Sequence, residues 1–256
     1  MKATYFGANG WLLEIAGLRV LLDPWLVGPL NFGGAAWLIE GRQPHDWPVP
    51  TDLDLLLLTQ GLADHAHPET LALLPKNLPV LGSAGAVVVA RRIGFTDTTV
   101  LRPGEVRQHG DLQLRATAGA AVPQIENGYL LEELTGLQEL SGAGASLYVE
   151  PHGFLDRALP ARPVTAVITP VVDLALPVGA PFVRGRAVVP ELVERFSPAW
   201  LLASSAGGGV RFAGLLNQLL RAEAAPADLE AQLARRHPPT RFVDPDPGHC
   251  YELSPR

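Results

Sequence analysis

Short apolar runs alternate with turn residues through the first sixty positions. Thr4–Phe6, Trp11–Ile15 and Leu18–Leu22 are each apolar, and Asn9-Gly10 and Ala16-Gly17 punctuate them. That pattern predicts a meander of hairpins. Asp23-Pro24 stops the third run, and the Pro- and Gly-rich stretch 24–52 predicts a long structured loop with little regular content. Leu55–Leu58 then runs unbroken between Asp54 and Thr59. A run of that length with polar ends predicts a strand buried on both faces.

Beyond it the pattern turns mixed. Pro68 suits the first turn of a helix, and Glu69 sits near its positive end. Pro79–Leu81 predicts a strand. Ser83 predicts the cap of a helix that runs through Arg92 and ends at Gly94. Further strands are predicted at Thr98–Leu101, Glu105–Gln108, Leu112–Thr117, Tyr129–Glu132, Ser146–Glu150, Val164–Thr169 and Trp200–Ala203. Helical spacing falls at Val188–Phe196, Phe212–Arg221 and Ala227–Arg236. In the last of these Asp228 and Glu230 come early and Arg235 and Arg236 late, as the helix dipole prefers. The tail Arg241–Leu253 reads as a closing strand segment broken by Pro245 and Pro247. Strands mixed with helices throughout, with no linker-like break, predict one layered α/β domain over residues 1–256.

Composition narrows the chemistry. The net charge of −6 gives no basis for binding nucleic acid or an anionic membrane. With 47% hydrophobic and 18% charged residues the chain falls in the compact globular class. The start of the chain lacks the apolar stretch of a secretory signal, and no run is long enough for a transmembrane helix, so a cytoplasmic protein is expected. Cys250 is the single cysteine, which excludes an internal disulfide and any cysteine-based zinc or iron–sulfur site. Histidine, aspartate and glutamate remain as strong metal ligands, and there are seven histidines to place.

One segment concentrates them: Thr59-Gln60-Gly61-Leu62-Ala63-Asp64-His65-Ala66-His67-Pro68, a loop after a buried strand and before a helix. Functional groups in layered α/β proteins often sit in such loops. The segment resembles the His-x-His-x-Asp-His motif of the metallo-β-lactamase superfamily. Tyr5-Phe6-Gly7 through Leu22-Asp23-Pro24 is similar to the opening hairpins and "LxDP" turn of its lactonase-like, metal-dependent hydrolase branch. Leu147–Gly153 stands where the family has a strand ending in Gly-Asp, and Trp200–Ser205 where a late strand delivers a last histidine. The resemblance spans roughly residues 3 to 205. It implies a four-layer αβ/βα sandwich with its site at the edge between two central sheets, and a zinc or other divalent metal acting on a small-molecule substrate.

The family's metal motif is altered here. Gln60 and Leu62 replace the first two motif histidines, and leucine cannot ligate a metal. No histidine occurs in Thr117–Asn127, where a third is expected, and Ser204 or Ser205 stands where the late one belongs. Asp64 and His65 survive, and His152 stands where the bridging aspartate is expected. This leaves at most a mononuclear site of Asp64, His65 and His152, with Glu150 and His67 nearby in sequence and Gln60 in the pocket. An ester, lactone or phosphoester hydrolase is the reading that follows. A ligand-binding or interaction scaffold, metal-free and without catalysis, is the alternative.

Plainer roles stand beside each residue. Asp64 reads equally as the cap of the helix at Pro68, and His65 as a partner in a buried polar network. His67 faces away from His65 or into solvent. Pro151 and Gly153 serve a turn whether or not His152 binds anything, and Glu150 can pair with Arg157 on the surface. Asp23 reads as structural, accepting backbone N–H groups across the Pro24 turn. His45, His109, His237 and His249 are expected at the surface. The Gly-rich turn after Ser204-Ser205 lacks the lysine of a P-loop. The apolar loop Trp25–Trp37 reads either as a lid over the site or as packing that seals the sandwich.

Overall fold

The computed structural model describes residues 1–32, 34–121, 124–134, 144–177, 181–204, 207–223, 226–237 and 239–255. Two seven-stranded sheets dominate. The first joins Lys2–Gly7, Gly10–Ile15, Leu18–Leu22, Leu55–Leu58, Val80–Gly82 and Thr98–Val100, with Cys250–Glu252 at its far edge. The second runs from Val106–His109 through Leu112–Ala118, Asn127–Glu133, Ser146–Val149, Ala166–Pro170 and Trp200–Ser204 to Arg241–Val243.

The period-two alternation of strand side chains explains the layers. Leu55 and Leu57 enter a core shared with Tyr5, Trp11, Leu13, Leu114, Tyr129, Leu147 and Ile168, which lies between the two sheets. Leu56 and Leu58 point the other way, to Leu71 of helix α1 (Pro68–Leu73) and Ala86 and Ala90 of helix α2 (Ala84–Ile93). All four leucines have no exposed surface, each contributing about 2 kcal/mol by burial. On the second sheet, Leu130, Tyr148, Val167 and Leu201 face outward to helix α3 (Gly185–Phe196) and to Leu229 and Leu233. The order helix, sheet, sheet, helix is the expected four-layer sandwich.

Local signals held where they were self-contained. Ser83 caps α2 by accepting from the Ala86 amide, and Gly94 closes it in the left-handed region at φ 105°. Two expectations are corrected. Phe212–Arg221 is not one helix: Arg211–Ala213 is a strand, α4 (Leu215–Leu219) a short helix, and Arg221–Glu223 another strand. Gly214, at φ 102°, breaks the helical path, and Phe212 pairs instead with Gly41. The tail is not one interrupted strand. Arg241–Val243 extends the second sheet, and Cys250–Glu252 extends the first. The Pro/Gly-rich loop carries two short strands, Leu30–Asn31 and Glu40–Arg42, which form a small sheet with Arg211–Ala213. The fifth helix, α5 (Pro226–Arg236), matches its prediction within a residue. No helix among the described residues is long and apolar enough to cross a membrane.

Candidate metal centre

The buried strand Leu55–Leu58 delivers Thr59 and Gln60 to the edge between the sheets. The chain is fastened there from the preceding hairpin. Asp23, at the end of strand Leu18–Leu22, accepts the Thr59 amide at 2.8 Å and the Thr59 hydroxyl. Its own backbone is held at φ 40°, an uncommon conformation that aspartate tolerates better than most residues. Gly61 crosses the start of α2 so closely that a Cβ would lie 2.7 Å from the Gly85 carbonyl oxygen, and only glycine fits. A tight turn follows, with the His65 and Ala66 amides both donating to the Leu62 carbonyl.

His65 is fully buried. Its Nδ1 lies 2.8 Å from Asp23 Oδ2 and 2.9 Å from Thr59 Oγ1, which places the ring proton on Nδ1 and turns Nε2 inward. Around Nε2 stand the amide nitrogen of Gln60 at 3.1 Å, Asp64 Oδ2 at 3.3 Å and the amide nitrogen of Asn9 at 3.3 Å. A second imidazole arrives from the other sheet. Glu150 follows strand Ser146–Val149 and accepts the His152 and Phe154 amides at 3.1 and 2.5 Å, winding the chain into a tight turn. Gly153, at φ 71°, lies against the Arg184 backbone, where a Cβ would come within 2.5 Å. The Arg184 amide donates to the His152 carbonyl, so the turn is fixed on both sides.

Glu126 completes the group. It lies in a loop closed by mutual backbone bonds, Gly119 N–H to the Glu126 carbonyl and Glu126 N–H to the Ala120 carbonyl. Its Oε2 is 2.5 Å from His152 Nδ1 and 2.7 Å from Gln60 Nε2. One ligand-capable atom each from His65, Glu126 and His152 falls within 4.8 Å of the others, all three residues being buried. The two imidazoles lie nearly parallel, with centroids 5.3 Å apart.

The electrostatics are those of a cation site. Asp23, Asp64, Glu126 and Glu150 gather around two histidines, and no lysine or arginine among the described residues pairs with any of them. Burial pushes Glu126 up to about 8, against the opposing charge of His65. Burial, followed by the Glu126 charge, holds Glu150 well above the usual carboxylate range. Burial and then His65 push His152 below the ordinary imidazole range. At His65 burial opposes the charged form, but Asp64 and Asp23 outweigh it and raise its hold on a proton. Nε2 faces the amide nitrogens of Gln60 and Asn9 and the Asp64 carboxylate together, and the carboxylates on both sides of the ring favour positive charge there. Asp64 is held below its usual value because His65 outweighs the cost of burial. Buried oxygens Gln60 Oε1 and Asp64 Oδ1 have no hydrogen-bond partner. Two imidazoles, a converging carboxyl group and orphaned buried oxygens together fit a divalent ion.

The sequence profile of the family described as "Beta-lactamase superfamily domain" matches residues 2–204. The chain belongs to that superfamily. Solved structures agree on the fold across the full length. The isothiocyanate hydrolase from Delia radicum gut bacteria is 17% identical, with 100% of both chains covered and a TM-score of 0.66. A protein from Veillonella parvula described as a possible metal-dependent hydrolase is 16% identical, with 98% of each chain covered and a TM-score of 0.69. Igni18, a metallo hydrolase from Ignicoccus hospitalis, is 14% identical, with 99% of each covered and a TM-score of 0.65. No curated protein matches the sequence.

Within this superfamily member, the predicted residues divide sharply. His65 and His152 converge, with Gln60 between them and Asp64 at the rim, its side chain 23% exposed. Glu126 was missed. The search of Thr117–Asn127 was for a histidine, and Glu126 is the only acidic residue in that stretch. His67 does not join the cluster and does not face solvent. It caps α1, its Nδ1 accepting the Thr70 amide, while Nε2 meets the Pro29 carbonyl at 3.3 Å. The cap is therefore His67, not Asp64. Asp23 reaches Thr59 and His65, not the amides across the Pro24 turn. Glu150 is buried and holds backbone amides, while Arg157 pairs with Glu191. Ser204 donates to the Ala8 carbonyl, away from the cluster's donor set, and Ser205 lies outside the described residues. His45 and His249 are exposed, while His109 and His237 are half-buried. In the Trp25–Trp37 loop, Trp25 and Leu30 are buried against Ala8 and seal the sandwich, whereas Trp37 is 72% exposed.

Proposed function

We propose that the chain is a metal-dependent hydrolase with a single divalent ion held by His65 Nε2, Glu126 Oε2 and His152 Nδ1. The observation that carries this reading is the convergence of one ligand-capable atom from each of these three buried residues within 4.8 Å of one another. A divalent ion there would act as a Lewis acid on a carbonyl or phosphoryl oxygen and would acidify water. The chain's own groups have distinct parts. Asp23 orients His65 through Nδ1, as carboxylates behind ligating histidines commonly do. Glu150 fixes the turn that presents His152. Asp64, ionised and partly exposed, takes the proton of an attacking water at the rim. The substrate is a small ester, lactone or phosphoester, residues 1–256 form a single domain, and its compartment is the cytoplasm.

A second reading, a scaffold that has lost catalysis, is favoured by Gln60, whose amide already donates into the cluster. Protein stripped with chelator and reloaded with zinc, manganese or iron(II) separates the two. The assay uses p-nitrophenyl esters, aliphatic lactones and bis-p-nitrophenyl phosphate. Metal-dependent turnover that disappears in His152→Ala and Glu126→Ala supports the hydrolase. No turnover with any metal or substrate class supports the scaffold.

A further inference from the structure

Gln60 stands at the position of the superfamily motif's first histidine, and it does more than leave a ligand out. Its amide nitrogen is 2.7 Å from Glu126 Oε2, 3.1 Å from His65 Nε2 and 3.4 Å from His152 Nδ1. Those are the three atoms assigned above to the metal, so this inference rests on that reading. A carboxamide NH2 carries two hydrogens and no lone pair available for a metal. One amide hydrogen goes to Glu126 Oε2, the same nitrogen lies against both imidazoles, and His152 makes its own short contact to the same Glu126 oxygen. The opposite end of the amide is unsatisfied, since Gln60 Oε1 is buried with no partner.

We infer that Gln60 is an internal stand-in for the cation, its NH2 group lying against all three ligand atoms so that metal and amide exclude each other. A metal at about 2.0–2.2 Å from those atoms needs the space between them, which the amide nitrogen now fills at 2.7–3.4 Å. Metal entry therefore requires the Gln60 side chain to turn away. The cost of that rotation weakens the apparent metal affinity and raises the metal concentration needed to fill the site. In the closed position the amide keeps the buried Glu126 oxygen hydrogen-bonded.

The test is isothermal titration of zinc and, separately, manganese into chelator-stripped parent, Gln60→Ala and Gln60→Glu. Gln60→Ala removes the stand-in, and Gln60→Glu keeps the shape while replacing the NH2 group by an acceptor. Both variants are expected to bind metal at least tenfold more tightly than the parent. In the stripped parent, the Gln60 side-chain NH2 protons are expected to exchange slowly with solvent by 15N NMR, and that protection is expected to vanish on metal saturation. A parent that binds metal as tightly as both variants overturns the inference and leaves the metal reading standing. Metal binding by none of the three proteins overturns the metal reading and the inference with it. Gln60→Glu keeps the question answerable if Gln60→Ala fails to fold.

Discussion

Asp23 and His65, 42 residues apart in the chain, meet at 2.8 Å between Oδ2 and Nδ1. This contact decides which face of the imidazole looks into the site, and Asp23 holds a positive φ to make it. Replacing Asp23 with asparagine keeps that backbone conformation accessible but removes the charge and the preferred acceptor. Metal affinity is expected to fall about 10- to 100-fold, with circular dichroism unchanged, as measured by titration calorimetry.

Glu126 predicts a pH dependence for chelator-stripped protein. Its folded value of about 8 lies above the ordinary 4.5, so across that window the folded chain keeps a proton that the unfolded chain has released. Stability therefore falls as pH rises through the window and levels off above it. Glu150 acts in the same direction. Urea titrations between pH 5 and 9 should show this decline in the parent and a distinctly shallower one in Glu126→Gln.

Asp64 has its role at the rim tested by Asp64→Asn, which preserves size and removes the proton acceptor. Turnover is expected to drop about 10²- to 10⁴-fold while metal affinity changes less than about tenfold. An equal loss in both would make Asp64 a ligand.

His65 and His67 stand two residues apart and have opposite assignments. His65→Ala should abolish metal binding. His67→Ala should cost about 1–2 kcal/mol in urea unfolding through loss of the α1 cap and leave metal affinity intact. His67→Asn, which restores a capping acceptor, should recover most of that stability.

The contrast between these two histidines shows what the sequence made legible. Where a signal is local, it carried through: the four leucines at 55–58, Ser83 and Gly94 around α2, and the loop position of Asp64 and His65 all sit as their neighbours predict. What depended on distant partners did not. Phe212–Arg221 has helical apolar spacing, but Gly41, far earlier in the sequence, pairs with Phe212 and draws it into a strand that stops before Gly214. His67 read as facing away from His65 or into solvent, and its burial was hidden because the Pro29 carbonyl and Trp25 ring that cover it come from another loop. Glu126 was hidden by chemistry, since the resemblance called for an imidazole there and the chain supplies a carboxylate.

The most direct test of the central claim is the metal stoichiometry of the protein by native mass spectrometry at saturating zinc, with X-ray absorption at the zinc edge. The account predicts one ion per chain with two imidazoles in its nitrogen and oxygen shell, and no bound ion in a Glu126→Ala, His152→Ala double variant. Two ions per chain, or one ion bound equally by parent and double variant, would contradict it.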